Sequence, residues 1–407
     1  MTSWKRNLFA TWFTQIFTIT GFSISMPFLP FYIRTLGVTD ANAIKFWVGV
    51  ATAALSIAAA ITAPVWGVLS DRHGRKVMLL RATLAGAIVS FCMGFAPNVQ
   101  AFTVLRFVQG LFTGSIAAAA VLVSASTPKE RLSYALGVLS TATFIGMSIG
   151  PMIGGYFAHI IGYRGTFFMS TAFVGVAFVL ALTLIKEDRP DARVKAASFR
   201  DMTLLLNRTF IFALITIFFV RFSISIAMPF TALRIEEVAG VKDPSGMTGI
   251  ILAVRSIIIA LAGISIVRLA DRVEKLGVLM GALALGALAV APLFVTGDLL
   301  FFAVFFVLAG YFAGGSEPIL QSFIGGTTSP SQRGMVFGML TTVGSLGFFA
   351  APIAGSAVAI AYDIRTTFLA QVICLGFTAM VIALYRLKHV IPVMKKRSGR
   401  GVPVPME

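Results

Sequence analysis

Charge is what this sequence has least of, and acid least of all. Of 407 residues only 12% are Asp, Glu, Lys or Arg, and just 16 of those are acidic; a soluble domain carries about a quarter. A chain this poor in charge has too little polar surface to stay in water as a globule of its size. Cysteine is nearly missing: Cys92 and Cys374 each sit inside an apolar run, which excludes a disulfide framework. The three histidines, His73, His159 and His389, are scattered, and with two isolated thiols they make no metal site. No nucleophile or metal constellation points to a membrane-embedded enzyme.

What is present is apolar. Hydrophobic residues make up 57% of the chain, with 37 Phe and 38 Gly. About 20 such residues cross the hydrocarbon core as a helix. Twelve segments qualify: 8–33, 46–69, 77–96, 100–123, 133–160, 166–185, 209–233, 246–268, 276–296, 299–325, 334–361 and 366–385. Lipid offers no partner to a backbone N–H or C=O, so all twelve are read as helices. The first run is too long for a secretory signal and no small-residue cleavage site follows it, so it is read as a retained span. The expected class is an all-α integral membrane protein with twelve transmembrane helices. Its longest polar connection, 186–208, separates a six-helix half (1–185) from a second (209–385), and a basic tail follows (386–407).

The net charge of +17 would suggest nucleic acid on a soluble protein. Here the basic residues lie in short clusters between apolar runs, where they set topology. With both termini in the cytoplasm, twenty-four Lys and Arg fall on the inner side, six on the outer side and three within helices. That asymmetry is an orientation signal, and it extends to the tail run KKRSGR.

The two halves repeat each other. Phe22-Ser23-Ile24-Ser25 with Met26-Pro27-Phe28 returns as Phe222-Ser223-Ile224-Ser225 with Met228-Pro229-Phe230. Leu69-Ser70-Asp71-Arg72 returns as Leu269-Ala270-Asp271-Arg272, and Pro151 with Gly154 returns as Pro352 with Gly355. An offset near 200 residues across six spans means a duplicated unit. Parallel repeats of this kind place a substrate site at the membrane midplane.

Ionisable residues inside a membrane are functional candidates by default. Four occur: Arg106 in span 4, Arg221 in span 7, Arg255 in span 8 and Glu317 in span 10. Three arginines and one deep carboxylate suit an anionic, zwitterionic or neutral compound better than a cation. Phe22 and Phe222 belong to an aromatic cluster in spans 1 and 7, which either faces lipid and packs helices or offers an apolar substrate surface.

Three motifs remain. The run GVLSDRHGRK at 67–76 has Gly67 and Gly74 for close approach and turning, and Asp71 for the positive end of a neighbouring helix. Arg72, Arg75 and Lys76 hold the cytoplasmic side. Together these can latch one conformation and release another. Asp271 and Arg272 survive in the second copy without its glycines, which implies a weaker latch there. The run GMSIGPMIGG at 146–155 repeats Gly146, Gly150 and Gly154 every four residues, with Pro151 and Gly155 beside them. Glycines on one face admit a close helix partner, and proline bends the helix.

These motifs resemble those of a known family. The 67–76 run is similar to the loop between helices 2 and 3 of major facilitator superfamily transporters. The 146–155 run resembles the signature of that family's drug:proton antiporters, as do Gly21, Pro27 and Pro30 in span 1. Arg106, Gln109 and Gly110 look like its helix-4 motif, whose arginine takes part in proton coupling; Phe112 departs from it. The resemblance covers the whole chain and implies a cavity lined by helices 1, 4, 7 and 10. It implies a proton-coupled exporter of amphipathic small molecules, a bacterial multidrug efflux pump working by alternating access. Glu317 would carry the proton under the influence of Arg106, and Arg221, Arg255, Gln109, Phe22 and Phe222 would line the cavity. The expected partners are a small-molecule substrate, protons and the lipids of the cytoplasmic membrane, with no nucleic acid. The proton gradient is the energy source, no cofactor or metal is expected, and the chain is read as a monomer. The alternative keeps the fold and exports one endogenous anionic or polar metabolite, such as a siderophore, sugar derivative or lipid-linked species.

Overall fold

The computed structural model describes residues 3–112, 114–128, 131–187, 208–328 and 333–390. Among the described residues every regular element is helical. Eleven runs are long and apolar enough to cross a membrane, and one of them, Tyr134–Leu184, has 51 residues. At 1.5 Å per residue that run is about 76 Å long, more than twice the hydrocarbon core. Gly162 interrupts it with φ 70 and ψ 167, a backbone conformation that glycine alone adopts cheaply. The run is therefore two spans joined by a tight turn, which accounts for the expected segments 133–160 and 166–185. Large side chains stay open on the outside of the helices, with Leu300 73%, Val295 70% and Leu288 68% exposed. Lipid rather than water suits such a surface.

Four spans expected to be continuous are broken. Span 1 divides into α1 (Ser3–Ser23) and α2 (Leu29–Thr35) around a 3-10 turn at Met26–Phe28. Span 7 repeats this with α8 (Arg208–Ser225), a 3-10 turn at Met228–Phe230 and α9 (Thr231–Ala239). The cause is written in the repeated Met-Pro-Phe, since proline supplies no N–H to continue the ladder. Span 4 divides into α5 (Val99–Phe112) and α6 (Ser115–Ser126), with Gly114 at φ 115 between them. Span 10 divides into α12 (Leu299–Gly314) and α13 (Ser316–Thr327) at Gly315. Both members of each repeated pair break at matching places, so the duplication is visible in the backbone as well as in the letters.

The remaining spans are α3 (Ala41–His73), α4 (Arg75–Gly94), α7 (Leu132–Leu184, spans 5 and 6), α10 (Ser245–Arg272), α11 (Lys275–Val295), α14 (Arg333–Ala361) and α15 (Ile364–Tyr385). Three of the scarce loop acids start helices. Asp40, Asp298 and Asp363 each accept a hydrogen bond from the backbone N–H three residues on, at 2.7, 2.7 and 2.8 Å. They satisfy N–H groups that the first turn leaves orphaned.

Contacts divide the chain into two compact units. In one, Met1–Ala196 with Pro229–Ile257, α1 and α4 lie along α7 and α3 lies along α5. Its core near the chain's start joins Ala10, Leu79, Leu122 and Ala181, with Trp66 against them. In the other, Ala197–Met228 with Ile258–Glu407, α11 pairs with α15 and α14 with α8.

Candidate functional site

Glu317 is not deep in a continuous helix. It is the second residue of α13, just past the break at Gly315, where a helix N-terminus favours negative charge. Arg221 on α8 grips it with two nitrogens: Nη2 pairs with Oε1, and Nε lies 3.3 Å from Oε2. Gln321 donates to the same carboxylate at 3.1 Å. The arginine itself is held in place. Its guanidinium lies over the Phe348 ring at 5.1 Å, and a Cβ at Gly344 would come within 2.7 Å of its stem. Two residues read from the sequence as separate, a proton carrier and a cavity lining group, are thus one ion pair. At 35% exposure of its side chain, Glu317 remains open to water or a ligand.

Arg106 is elsewhere. Its Nη1 donates to Gln109 Oε1 at 3.2 Å, and its guanidinium sits 5.7 Å from the Phe102 ring. Its Nε is buried without a hydrogen bond among the described residues. The described hydrogen bonds of Glu317 go to Arg221 and Gln321. Arg255 is buried in α10. Phe22 points its ring tip at Gly86 of α4, where a Cβ would lie 2.6 Å from Cζ; it packs two helices together. Phe222 stacks on Phe218 at 5.9 Å.

The turn after span 2 has a component that the sequence reading missed. Gly74 ends α3 with φ 97 and ψ 151, beyond ordinary L-residue geometry. Glu187, just past span 6, places its carboxylate under this turn and accepts from the backbone N–H of Arg75 at 2.9 Å and of Lys76 at 2.7 Å. A Cβ at Gly74 would stand 3.1 Å from that carboxylate. Lys76 Nζ reaches back to the carbonyls of Leu182 and Ile185 at 2.8 and 2.7 Å. The backbone of Gly67, Asp71 and Arg72 is helical, and beyond that these three lie outside the described residues. Asp271 and Arg272 are exposed.

The second copy solves the same problem with opposite polarity. Glu274, where the glycine would be, pairs with Arg386 beyond span 12, whose Nε lies 2.8 Å from Oε1. A side-chain ion pair closes that turn, whereas a carboxylate on two amides closes the first. Glu187→Ala is expected to lower stability by about 1 kcal/mol, the usual worth of an N-terminal cap, and to slow transport; thermal unfolding and uptake assays check both. Asp71→Asn is expected to impair transport more than Asp271→Asn, with membrane insertion intact in each.

The 146–155 run has one clear geometric job. On α1, a Cβ at Gly146 would come 2.7 Å from Ile19 Cβ, at Gly150 2.6 Å from the Thr20 carbonyl, and at Gly154 onto the Ile24 carbonyl. Ser23 Oγ seals the contact by donating to the Gly146 carbonyl at 3.0 Å. Gly155 faces the other way, against the Ser245 carbonyl of α10, and Gly249 of α10 faces the Pro151 carbonyl. Pro151 cannot donate to Met147 four residues back. The Ser256 hydroxyl on α10 lies 3.1 Å from the Met147 carbonyl and shares its proton between it and the Leu252 carbonyl of its own helix at 2.9 Å. The reading of no nucleophile motif overlooked one: Gly146-Met147-Ser148-Ile149-Gly150 spells a nucleophile elbow, but it lies mid-helix, and Ser148 Oγ donates to the Phe144 carbonyl at 2.8 Å. The strand-to-turn context such a nucleophile needs is missing.

Duplicated broken spans, a glycine-paved span 5 and a capped turn after span 2 coincide with what comparison finds. The sequence profile of the Major Facilitator Superfamily matches residues 11–248 and 242–406. The chain belongs to the major facilitator superfamily. Among its relatives in this superfamily, the multidrug resistance protein MdtG of Proteus mirabilis is 32% identical over 373 residues, covering 90% of this chain and 92% of that protein. MdtG of Rahnella is 31% identical over 389 residues, covering 93% and 92%. The fold is shared with the nucleoside transporter NupG, at TM-score 0.77 and 14% identity, over 92% of this chain and 99% of that one.

Proposed function

We propose that this superfamily member is a proton-coupled exporter of amphipathic small molecules, acting in multidrug efflux by alternating access. It works as a monomer in a bacterial cytoplasmic membrane, with residues 1–185 and 209–385 as its two halves and the proton gradient as its energy source. The proposal rests on kinship along nine-tenths of the chain to multidrug resistance proteins. The observation that carries coupling is the Arg221–Glu317 pair at the broken span 10. A carboxylate held by an arginine, yet open on one side, can exchange that partner for a proton. In this reading Glu317 loads a proton from outside and releases it inside. The inward move of one charge across 100 mV supplies roughly 2.3 kcal/mol. Arg106 tunes the coupling, and Gln109 and Arg255 shape the substrate path.

Proteoliposomes reconstituted with the protein test this directly. Substrate-stimulated proton flux is measured across cationic, neutral and anionic amphipaths; no flux with any class removes proton coupling. Topology is tested by cysteine labelling in a protein whose Cys92 and Cys374 are replaced. Asn98→Cys is expected to react with an impermeant maleimide in intact cells and Ser198→Cys is not; the reverse overturns the orientation. An outer probe at Ser245 is ruled out, since that residue is fully buried and bonded to Asp243. The exposed Gly297 takes its place.

A further inference from the structure

One carboxylate collects partners from α7 and α10 where span 5 turns into span 6. Asp243, in the connection between α9 and α10, accepts from the Tyr163 hydroxyl at 2.6 Å. Its other oxygen accepts from the Ser245 N–H at 3.1 Å and the Ser245 hydroxyl at 2.5 Å. His159, in the last turn before Gly162, holds Nδ1 3.5 Å from the oxygen that Tyr163 uses. Its imidazole lies over the first turn of α10, 3.7 Å from where a Cβ on Gly246 would be. Beside this group Arg34, at the end of α2, makes a forked pair with Glu236 of α9 at 2.6 and 2.7 Å, within electrostatic reach of Asp243 and Tyr163.

The other charges nearby are accounted for. Arg234 pairs with Glu237 on its own helix at 3.0 Å. Arg164 donates to the Ala96 carbonyl at 3.1 Å, and Lys242 is exposed. With His159 neutral, Arg34 faces two carboxylates, Glu236 and Asp243. One proton on His159 balances them. Histidine is the side chain that changes charge between pH 5 and 8. At 46% and 34% side-chain exposure, His159 and Asp243 are open to protons from the water.

We propose that Asp243 and His159 form an outer latch that a proton from outside tightens. Protonated His159 holds the Asp243 connection, and with it the outer ends of α9 and α10, to the outer ends of spans 1, 5 and 6. Neutral His159 weakens that hold and leaves the Tyr163 hydrogen bond to Asp243. External acid then commits the protein to a closed outer end, the step that must follow proton loading if protons move inward. This rests on the orientation and alternating access proposed above. His159 is here a positioning residue that touches neither substrate nor the Glu317 pair.

The test reads opening directly. Thr248, one turn into α10, is fully buried, so Thr248→Cys reacts with an impermeant maleimide only when α10 lifts away. Its labelling rate in right-side-out vesicles is divided by that of Gly297→Cys, which removes the pH dependence of the reagent. Between about pH 7.5 and about pH 5.5, on either side of the ordinary histidine range, the ratio is expected to fall about two- to fivefold, as for a partly exposed ion pair. His159→Gln is expected to abolish that fall, and His159→Lys to keep the ratio low at both values. Asp243→Asn is expected to raise it at both. A His159→Gln protein with the parent's pH response, or an Asp243→Asn protein with the parent's ratio, overturns the latch. If Gly297→Cys labels only from the inner side, the orientation is wrong, and the same ratio in inverted vesicles decides the latch separately.

Discussion

A Glu317→Gln protein is expected to bind substrate yet lose gradient-driven export, while exchange down a substrate gradient survives. The amide keeps the shape and can still meet Arg221 and Gln321, so the broken span 10 should stay folded. What it cannot do is release and regain a proton. Glu317→Asp keeps a titratable group one methylene shorter and is expected to retain part of the coupling. Arg221→Gln is the informative partner. It leaves a carboxylate held only by Gln321 among its described partners. Breaking one side of a buried ion pair costs about 3–5 kcal/mol, and Glu317's partial exposure reduces that to on the order of 2 kcal/mol. The double variant Arg221→Gln with Glu317→Gln removes the stranded charge and is expected to recover stability but not pumping. Reconstituted vesicles with an imposed pH difference give the transport readout, and thermal unfolding in detergent gives the other. Uphill pumping by Glu317→Gln at the parent's rate would place the proton site elsewhere.

Gly154→Ala is expected to disable transport and destabilise the protein by about 1–3 kcal/mol, the usual range for overpacking. The added methyl would meet the Ile24 carbonyl, a backbone atom just past the end of α1 that cannot rotate aside as a side chain can. Gly155→Ala would meet the Ser245 carbonyl in α10 and should harm transport more than folding, since it separates α7 from an element of the outer latch. Gly137→Ala and Gly175→Ala meet nothing within 4 Å and serve as controls that should be neutral. Wild-type activity in Gly154→Ala would mean that α1 and α7 part more freely than their contact suggests. The effect should also grow with side-chain size, so Gly154→Val should exceed Gly154→Ala.

Much of the architecture was legible because lipid makes harsh demands. A span needs a long apolar run, and such runs announce themselves; twelve were readable, including the two that the structure joins through Gly162. The Gly146, Gly150 and Gly154 spacing foretold a close helix partner, because only glycine on one face permits it. The duplication foretold that spans 1 and 7 would behave alike, and both break at Met-Pro-Phe. Three things needed the folded chain. The Arg221–Glu317 pair joins residues 96 apart, and a side chain's partner across a helix interface leaves no periodic mark. The breaks at Gly114 and Gly315 were hidden because hydropathy averages over a window and ignores whether the ladder continues. Glu187, Ser256 and the Asp243 group were overlooked for the same reason: each satisfies a backbone or side-chain group contributed by a distant segment. Composition and period decide which residues enter the membrane. Which polar atom answers which is decided only when the helices pack, because an unpaired polar group in that medium is costly and the partner that removes the cost is set by distance in space.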